Sequence, residues 1–575
     1  MNNTNTVSIA ITGSGGSGAV TTGMILLKAM AHAGFYGIMS RSAGPQIRGG
    51  ESAVMMRFAD HEVHSHDDNF YVLLCLDWLK IERFADEIPL HGKSLLLGDT
   101  DAGEIPDILM ASGAQSRLLP LKKRAAEIEG GRSNMIGLGV LAGLLGLSAD
   151  NMKKALQEIL GHKKDRSIIE ASAACIELGM KLYPFTRPPL TAAWQISHAR
   201  RWNISGNEAA GLGALKAGVR FVAAYPITPA SEILEWLSPN LEKVGGALLQ
   251  AEDELASINM IIGASFGGVP ALTATSGPGL SLMMEGLGLA VASETPVVVV
   301  NVMRGGPSTG IPTKSEQADL NLALFGFHGD APHIVLAPTH IKDCVFTTQW
   351  ASCLAEQLQT VAIVMSDQFL GQSRVVADPP QTFSLACERS ITSAVEASYQ
   401  RYELTENGIS PMSIPGTPRG MYTAEGLEHS EHGTPSSMAQ DHLSQMSKRR
   451  DKLLQYDFGE RWAEIEGAGD TAIVTWGSIS SVVREAAQRL RQKGVEIRVI
   501  TIRLLMPLPL QAMKALQKGI KHCIVVEQNQ SGQLFHYLKG LDALESQSSS
   551  FARPGPLLIR PDEIMAFVEQ KVNHG

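Results

Sequence analysis

From Phe221 to Arg304 the sequence alternates short apolar runs with helical patterns, and few folds accept that order. Phe221-Val-Ala-Ala-Tyr-Pro-Ile227, Ala247-Leu-Leu-Gln-Ala251, Val269 to Thr275 and Pro296 to Met303 read as buried strands, the last with four consecutive valines. Between them, Glu254 to Ser265 and Leu280 to Ser293 carry apolar residues at helical spacing. Such alternation predicts a parallel, doubly wound sheet, in which ligands sit beyond the carboxyl ends of the strands. Thr228, the Glu252-Asp-Glu254 cluster, Thr275 with Ser276, and Arg304 all fall at those ends. Each has an ordinary explanation: Thr228 caps a helix with Pro229 at its first position, the acids meet a helix dipole, Thr275 and Ser276 make a turn, and Arg304 is a surface cation. As a set on one edge they point to a site.

Gly305 to Asp319 follows, fifteen residues rich in Gly, Pro and hydroxyls. Loops of that length inside compact domains tend to be functional. Thr360 to Ser366 adds a further strand.

Upstream, Val7 to Thr12 reads as a strand, Gly13-Ser-Gly-Gly-Ser-Gly18 as a tight turn and Ala19 to Gly34 as a helix. A turn that opens a helix offers free backbone N–H groups to an anion, so Gly13, Gly15, Gly16 and Gly18 are candidate phosphate contacts. A dinucleotide fold is one reading, but no acid closes the next strand, Tyr36 to Ser40, where a ribose partner belongs. The phosphates of coenzyme A and a purely structural turn are the others.

Downstream, residues 377 to 456 are loop-like and end in a polar helix, Asp441 to Tyr456, with Lys448, Arg449 and Arg450 clustered. His429 and His432, with Glu428 and Glu431, admit a metal reading, although their spacing in a Gly-Pro loop suits a partner contact or solvent. Strands at Thr471 to Trp476, Glu496 to Leu505 and Cys523 to Glu527 alternate with helices in a last α/β domain. Its strand-end turns, Gly477-Ser478 and Gln528 to Gly532, have the polarity to receive a cofactor or a neighbouring subunit. The expected divisions are an α/β domain over 1–183, a linker over 184–202, the alternating domain over 203–375, connecting loops and the polar helix over 376–465, and an α/β domain over 466–575.

Composition narrows the partners. With 19% charged residues and a net charge of -9, the 575-residue chain has no basic field for nucleic acid or anionic lipid. Met135 to Ala149, the most apolar stretch, is shorter than the roughly 20 residues a bilayer needs and reads as a Gly-rich packed helix. No basic region precedes the first strand, so no signal peptide is expected and the cytoplasm is the expected compartment. The six cysteines form no C-x-x-C pair, which leaves no local zinc or iron-sulfur site and suggests buried thiols.

Tyr225-Pro-Ile-Thr-Pro229, Glu252-Asp-Glu254, Thr275-Ser-Gly-Pro-Gly279, Arg304-Gly-Gly-Pro-Ser-Thr-Gly310 and Val525-Val-Glu-Gln-Asn529 together resemble the α subunits of 2-oxoacid:ferredoxin oxidoreductases. Residues 1–183, with the Gly-rich turn and Arg48-Gly-Gly50, look like that family's γ domain fused in front. The loop after Arg304 and Gly426-Leu-Glu-His-Ser-Glu-His-Gly433 look most like the 2-oxoglutarate enzymes. The resemblance implies a pyrimidine-binding domain of the thiamine diphosphate fold over 203–375 and a transketolase C-terminal-like domain over 466–575. It also implies oxidative decarboxylation of a 2-oxoacid, yielding acyl-coenzyme A, carbon dioxide and two electrons for ferredoxin.

Within that chemistry Glu254 is expected to hydrogen-bond N1′ of the aminopyrimidine, with Glu252 as second choice, favouring the tautomer that takes the thiazolium proton. Arg304 is expected to pair with the substrate carboxylate and Thr228 to donate to the 2-oxoacid. Tyr225, Pro226, Ile227, Thr275 and Ser276 would line the cofactor. Gly98-Asp99, Gly329-Asp330 and Gly469-Asp470 are none of them followed by Gly, so the family's magnesium-diphosphate motif is missing. A β subunit is therefore expected to supply the Mg2+ site and a four-iron four-sulfur cluster, in an assembly of two α and two β chains. Pyruvate, a branched-chain 2-oxoacid or indolepyruvate stays open as substrate. An NAD-dependent dehydrogenase, a coenzyme A ligase and a noncatalytic scaffold subunit stay open as functions.

Overall fold

A computed structural model describes residues 5–44, 50–162, 165–182, 189–196, 199–393, 395, 399–544 and 547–573. Arg48 and Gly49 of the Arg48-Gly-Gly50 motif, and residues 184–188 and 197–198 of the expected linker, lie outside that set. The chain divides into two compact units: Met1–Ser205 with Gln372–Pro380 and Arg560–Asp562, and the remainder.

An eight-stranded sheet carries the first unit. Gln115–Leu119, Leu95–Asp99, Val72–Cys75 and Thr6–Gly13 lie side by side in parallel. Ser52–Ala59, Tyr36–Ala43, Arg374–Ala377 and Trp202–Ser205 continue the sheet antiparallel. A dinucleotide fold needs the strand after the first helix to be parallel and adjacent to the first strand. Here Ser52–Ala59 intervenes between Thr6–Gly13 and Tyr36–Ala43, so that unit does not exist. The apolar stretch forms the helix Ser133–Leu145, packed closely on Arg166–Leu182. A Cβ on Gly139 would lie 2.1 Å from the carbonyl of Ile176, and one on Gly179 equally close to that of Ile136, so glycine on both faces lets the backbones touch. Among the described residues no helix is long and apolar enough to cross a membrane.

The second unit holds a seven-stranded and a five-stranded sheet. In the larger, Ile334–Leu336, Val361–Asp367, Val297–Met303, Ala271–Thr275, Phe221–Ala224 and Ala247–Gln250 are all parallel and follow one another in that order. Their carboxyl ends therefore share one edge, as the alternation predicts. Ala247–Gln250 is not the buried strand expected: it is the sheet's last, and Leu249 is 45% exposed. The expected strand over Glu496 to Leu505 is two: Ile497–Ile502 lies in the smaller sheet, while Leu504–Met506 pairs antiparallel with Ile334–Leu336 in the larger.

Arg503 stands at that crossing, buried, and forks onto Asp343 with two 3.0 Å contacts while also reaching Glu464. Burial alone would raise the Asp343 pKa, but Arg503 and neighbouring donors overcome it and hold the carboxyl at about 2. A carboxylate depressed in the folded state adds stability above the ordinary range, lost as the pH falls through the folded value. Asp343→Asn is expected to cost about 3 kcal/mol at neutral pH, with the deficit vanishing near pH 2, as read from unfolding midpoints across pH.

The expected polar helix is Ala439–Leu454, and it is not solvated along its basic face. Lys448, Arg449 and Lys452 are buried against acids from distant segments. His429 is buried as well, lies tilted against Tyr402 with ring centroids 3.8 Å apart, and turns both ring nitrogens to the carbonyls of Ser430 and Ala292. It therefore packs the core, in place of the metal, partner or solvent role. His432 meets Gln400, and Glu428 is taken by Arg449 and His442. Four cysteines are the buried thiols expected, but Cys353 and Cys387 form a disulfide.

Candidate active site

The edge formed by the parallel strands is built from their first residues beyond the sheet. Asp253 caps the helix Glu254–Phe266, its carboxylate accepting from the N–H of Ala256 at 2.7 Å. The helix-terminus role of the acidic cluster thus falls to Asp253, and Glu252 is exposed. Glu254 is 7% exposed, and among the described residues its carboxylate accepts no hydrogen bond. A largely buried carboxylate with no protein donor is open to a ligand's donor.

Glycines make room for it. The helix Gly277–Ala292 starts beside Glu254, and a Cβ on Gly279 would lie 2.0 Å from the Thr275 hydroxyl and 2.7 Å from Glu254 Oε1. A Cβ on Gly277 would lie 2.6 Å from Asp319 Oδ2. Two carboxylates therefore press on one helix amino terminus, where the dipole favours negative charge. Gly279→Ala is expected to push Glu254 out of place and cut turnover by about a hundredfold with the fold retained, measured as kcat alongside circular dichroism.

Arg304 and Thr228 are brought together directly. The Arg304 guanidinium donates to the Thr228 carbonyl at 2.6 Å across 76 residues. Thr228 does not cap the next helix, which begins at Ser231 behind Ala230. Burial lowers the Arg304 pKa, and the charge of Asp319 opposes the shift. Asp319 is pushed up by burial, against which Asn301, donating at 3.1 Å, and Arg304 favour its charged form. Arg304 Nε, Ser276 Oγ and Asn301 Oδ1 are buried without hydrogen-bond partners among the described residues. Thr275 and Ser276 are fully buried, whereas Tyr225 and Pro226 are exposed at the rim and Ile227 is half-buried.

The last domain's polar turns meet a segment of the chain itself. Trp476, Gln528 and Asn529 bind Gln317, in the loop that follows Arg304. Sequence reasoning missed Gln317, Asp319 and Asn301 as site residues. The only signal was the length and polarity of that loop.

In the first unit the Gly-rich turn opens the helix Ala19–His32, with Gly18 at φ 87° as its cap. Gly16, Ser17, Gly18, Lys122, Arg132 and Asn134 line a cavity of about 490 Å³. Two cations facing a helix amino terminus suit an anion. Gly13 instead backs onto Ser17, and Gly15 is exposed.

Three family models match the chain in succession. Residues 8–182 match pyruvate ferredoxin/flavodoxin oxidoreductase, 212–448 the thiamine-diphosphate-binding domain of pyruvate flavodoxin/ferredoxin oxidoreductase, and 469–564 pyruvate:ferredoxin oxidoreductase core domain II. The 2-oxoacid:ferredoxin oxidoreductase subunit alpha of Sulfolobus sp is 31% identical, covering 95% of both chains. The 2-oxoglutarate synthase subunit KorA of Archaeoglobus fulgidus is 36% identical over 64% of this chain and 98% of its own length. Among solved structures, 2-oxoglutarate:ferredoxin oxidoreductase from Magnetococcus marinus with 2-oxoglutarate, coenzyme A and succinyl-CoA bound is 34% identical, with a TM-score of 0.89, over 99% of this chain and 100% of its own.

Proposed function

Because the chain belongs to the family of thiamine-diphosphate-dependent 2-oxoacid:ferredoxin oxidoreductase α subunits, with a γ-type domain fused in front, we propose that it converts 2-oxoglutarate and coenzyme A reversibly to succinyl-coenzyme A and carbon dioxide, with two electrons passed to ferredoxin. The observation that carries the cofactor assignment is Glu254: buried, without a protein partner, and given clearance by Gly279. When bound, thiamine diphosphate supplies the carbon nucleophile and the electron sink that 2-oxoacid decarboxylation requires. Glu254 holds the proton at N1′ of the aminopyrimidine, and burial strengthens that hydrogen bond. Thr275 and Ser276, buried, and Tyr225, Pro226 and Ile227, more exposed, would line the cofactor when it is bound. Arg304 offers its unpartnered Nε–H to the substrate carboxylate. Thr228 contributes its hydroxyl to the 2-oxo group. Glu252, exposed, is the weaker alternative to Glu254.

The site is half of one. Leu249, Leu255 and Met260, on the strand and helix that carry or lead to Glu254, leave apolar side chains exposed, a surface that suits a partner. We assign that partner as a β subunit bearing the Mg2+-diphosphate site and a four-iron four-sulfur cluster, in a cytoplasmic assembly of two α and two β chains that reduces ferredoxin. The cavity at Gly16, Ser17 and Gly18 is assigned to the phosphates of coenzyme A, on a turn that Gly13 and Gly15 shape.

Assay of the complex co-purified with its natural partner, by coenzyme A-dependent dye reduction on several 2-oxoacids, tests the reading. The highest kcat/KM is expected with 2-oxoglutarate; a preference for pyruvate, a branched-chain 2-oxoacid or indolepyruvate would replace the substrate while keeping the class.

A further inference from the structure

The loop from Gly305 to Asp319 is closed on itself at one end and clasped at the other. Gly305 accepts from the Ile311 N–H at 2.7 Å and donates to the Lys314 carbonyl at 3.0 Å. At the far end Gln317 is fully buried and makes four hydrogen bonds to the C-terminal α/β domain. Its N–H donates to the Gln528 carbonyl at 2.8 Å, and its side-chain oxygen accepts from the Gln528 N–H at 2.9 Å. Its side-chain Nε2 donates to the Trp476 carbonyl at 2.9 Å, and its carbonyl accepts from Asn529 Nδ2 at 3.2 Å.

The fit is specific to a primary amide, which alone offers a donor and an acceptor side by side to two backbone groups. Gly477, at φ 62°, leaves space for it, since a Cβ there would lie 2.5 Å from Gln317 Nε2. Asn529 is itself oriented by Glu527, at 2.6 Å, and by the N–H of Gly532, at 2.8 Å. Gln533 extends the clasp, donating to the Ala318 carbonyl and accepting from the Asn321 N–H, both at 2.8 Å. Two residues past Gln317 stands Asp319, with Asn301 at 3.1 Å and its carboxylate against Gly277.

We propose that Gln317 is a positioning residue for 2-oxoacid binding: its clasp on the C-terminal domain fixes the far end of the loop that Gly305, next to Arg304, opens, and so holds the Arg304 guanidinium in place. The C-terminal domain, whose strand ends otherwise have no stated task, thereby sets the affinity for the substrate carboxylate. This rests on the assignment of Arg304 to that carboxylate. Hydrogen-bonded clasps of this kind restrict a loop that is otherwise free to sample other arrangements, and a misplaced binding group weakens substrate capture before it slows chemistry.

The test compares Gln317→Leu, Gln533→Ala and Arg304→Lys in the assembled complex. Gln317→Leu is expected to raise KM for the 2-oxoacid about tenfold while kcat changes less than about threefold. The KM for coenzyme A and the affinity for thiamine diphosphate are expected to stay as in the wild type. Gln533→Ala, at a half-buried position, is expected to raise the same KM by about threefold, and it decides the matter if Gln317→Leu does not fold. A merely structural role would lower the yield of active complex and leave KM alone, and that result overturns the proposal. If Arg304→Lys raises KM but the clasp variants do not, only this inference falls. If Arg304→Lys leaves KM unchanged, the assignment of Arg304 falls and this inference with it.

Discussion

Glu254→Gln is expected to lower kcat by about 10² to 10⁴ in the assembled complex, the range that loss of a positioned acid-base group produces. The amide keeps the size of the side chain but cannot carry the charge that holds a proton at N1′. Stability should not suffer. Glu254 receives no hydrogen bond from the described residues, so replacing it removes no interaction within the chain. Asp253→Ala supplies the contrast, because Asp253, not Glu254, caps the helix. That variant is expected to lose about 1 kcal/mol of stability while keeping most of its turnover. Unfolding curves and steady-state rates on both variants separate a capping role from the acid-base role proposed for Glu254.

The second large effect concerns stability. Glu294 is fully buried, and its two carboxylate oxygens meet Lys448 at 2.6 Å and Lys452 at 2.9 Å. Arg401, also fully buried, donates to its backbone carbonyl at 3.0 Å. One acid thus offsets part of the charge of a core that holds three cations, and it anchors the Ala439–Leu454 helix. Glu294→Gln leaves those cations without an anion, and breaking a buried pair costs about 3–5 kcal/mol. The sign of its pH dependence follows from the lysines. Burial lowers Lys448 to about 8 and lowers Lys452 too, with Glu294 opposing both shifts. Without Glu294 both values fall further, and a lysine depressed in the folded state regains stability as the pH rises through its folded pKa. The deficit against wild type is therefore expected to be largest near pH 6 and to shrink as the pH is raised through 8, measured by chemical unfolding.

Much of the candidate site's edge is legible in the sequence because it is local. Strand, acid cluster and helix follow one another from Ala247 to Phe266, and a parallel sheet brings successive strand ends to one side whatever lies between them. What the pattern missed was set by partners far along the chain. Lys448 and Arg449 have the composition of a solvated helix face, and only Glu294 and Glu428, 154 and 21 residues away, make them core. Arg503 splits one apolar run into strands of two sheets because Asp343, 160 residues away, captures it at the junction. Ala247 to Gln250 has an interior strand's composition but an edge strand's place, which depends on sheet order rather than on its own residues. Cys353 and Cys387 are 34 residues apart with no spacing motif, so only the folded chain pairs them. Gln317 is legible in neither composition nor periodicity, since its function is to match backbone groups of Trp476 and Gln528.

The central claim is that this chain carries the pyrimidine half of a shared thiamine diphosphate site, with Glu254 at its centre. Calorimetric titration of thiamine diphosphate with Mg2+ into the chain alone, and into the complex with its partner, tests it most directly when coupled to ferredoxin reduction on the same samples. The complex is expected to bind the cofactor and reduce ferredoxin with 2-oxoacid and coenzyme A, and the chain alone to do neither. Tight binding and ferredoxin reduction by the isolated chain would contradict the account.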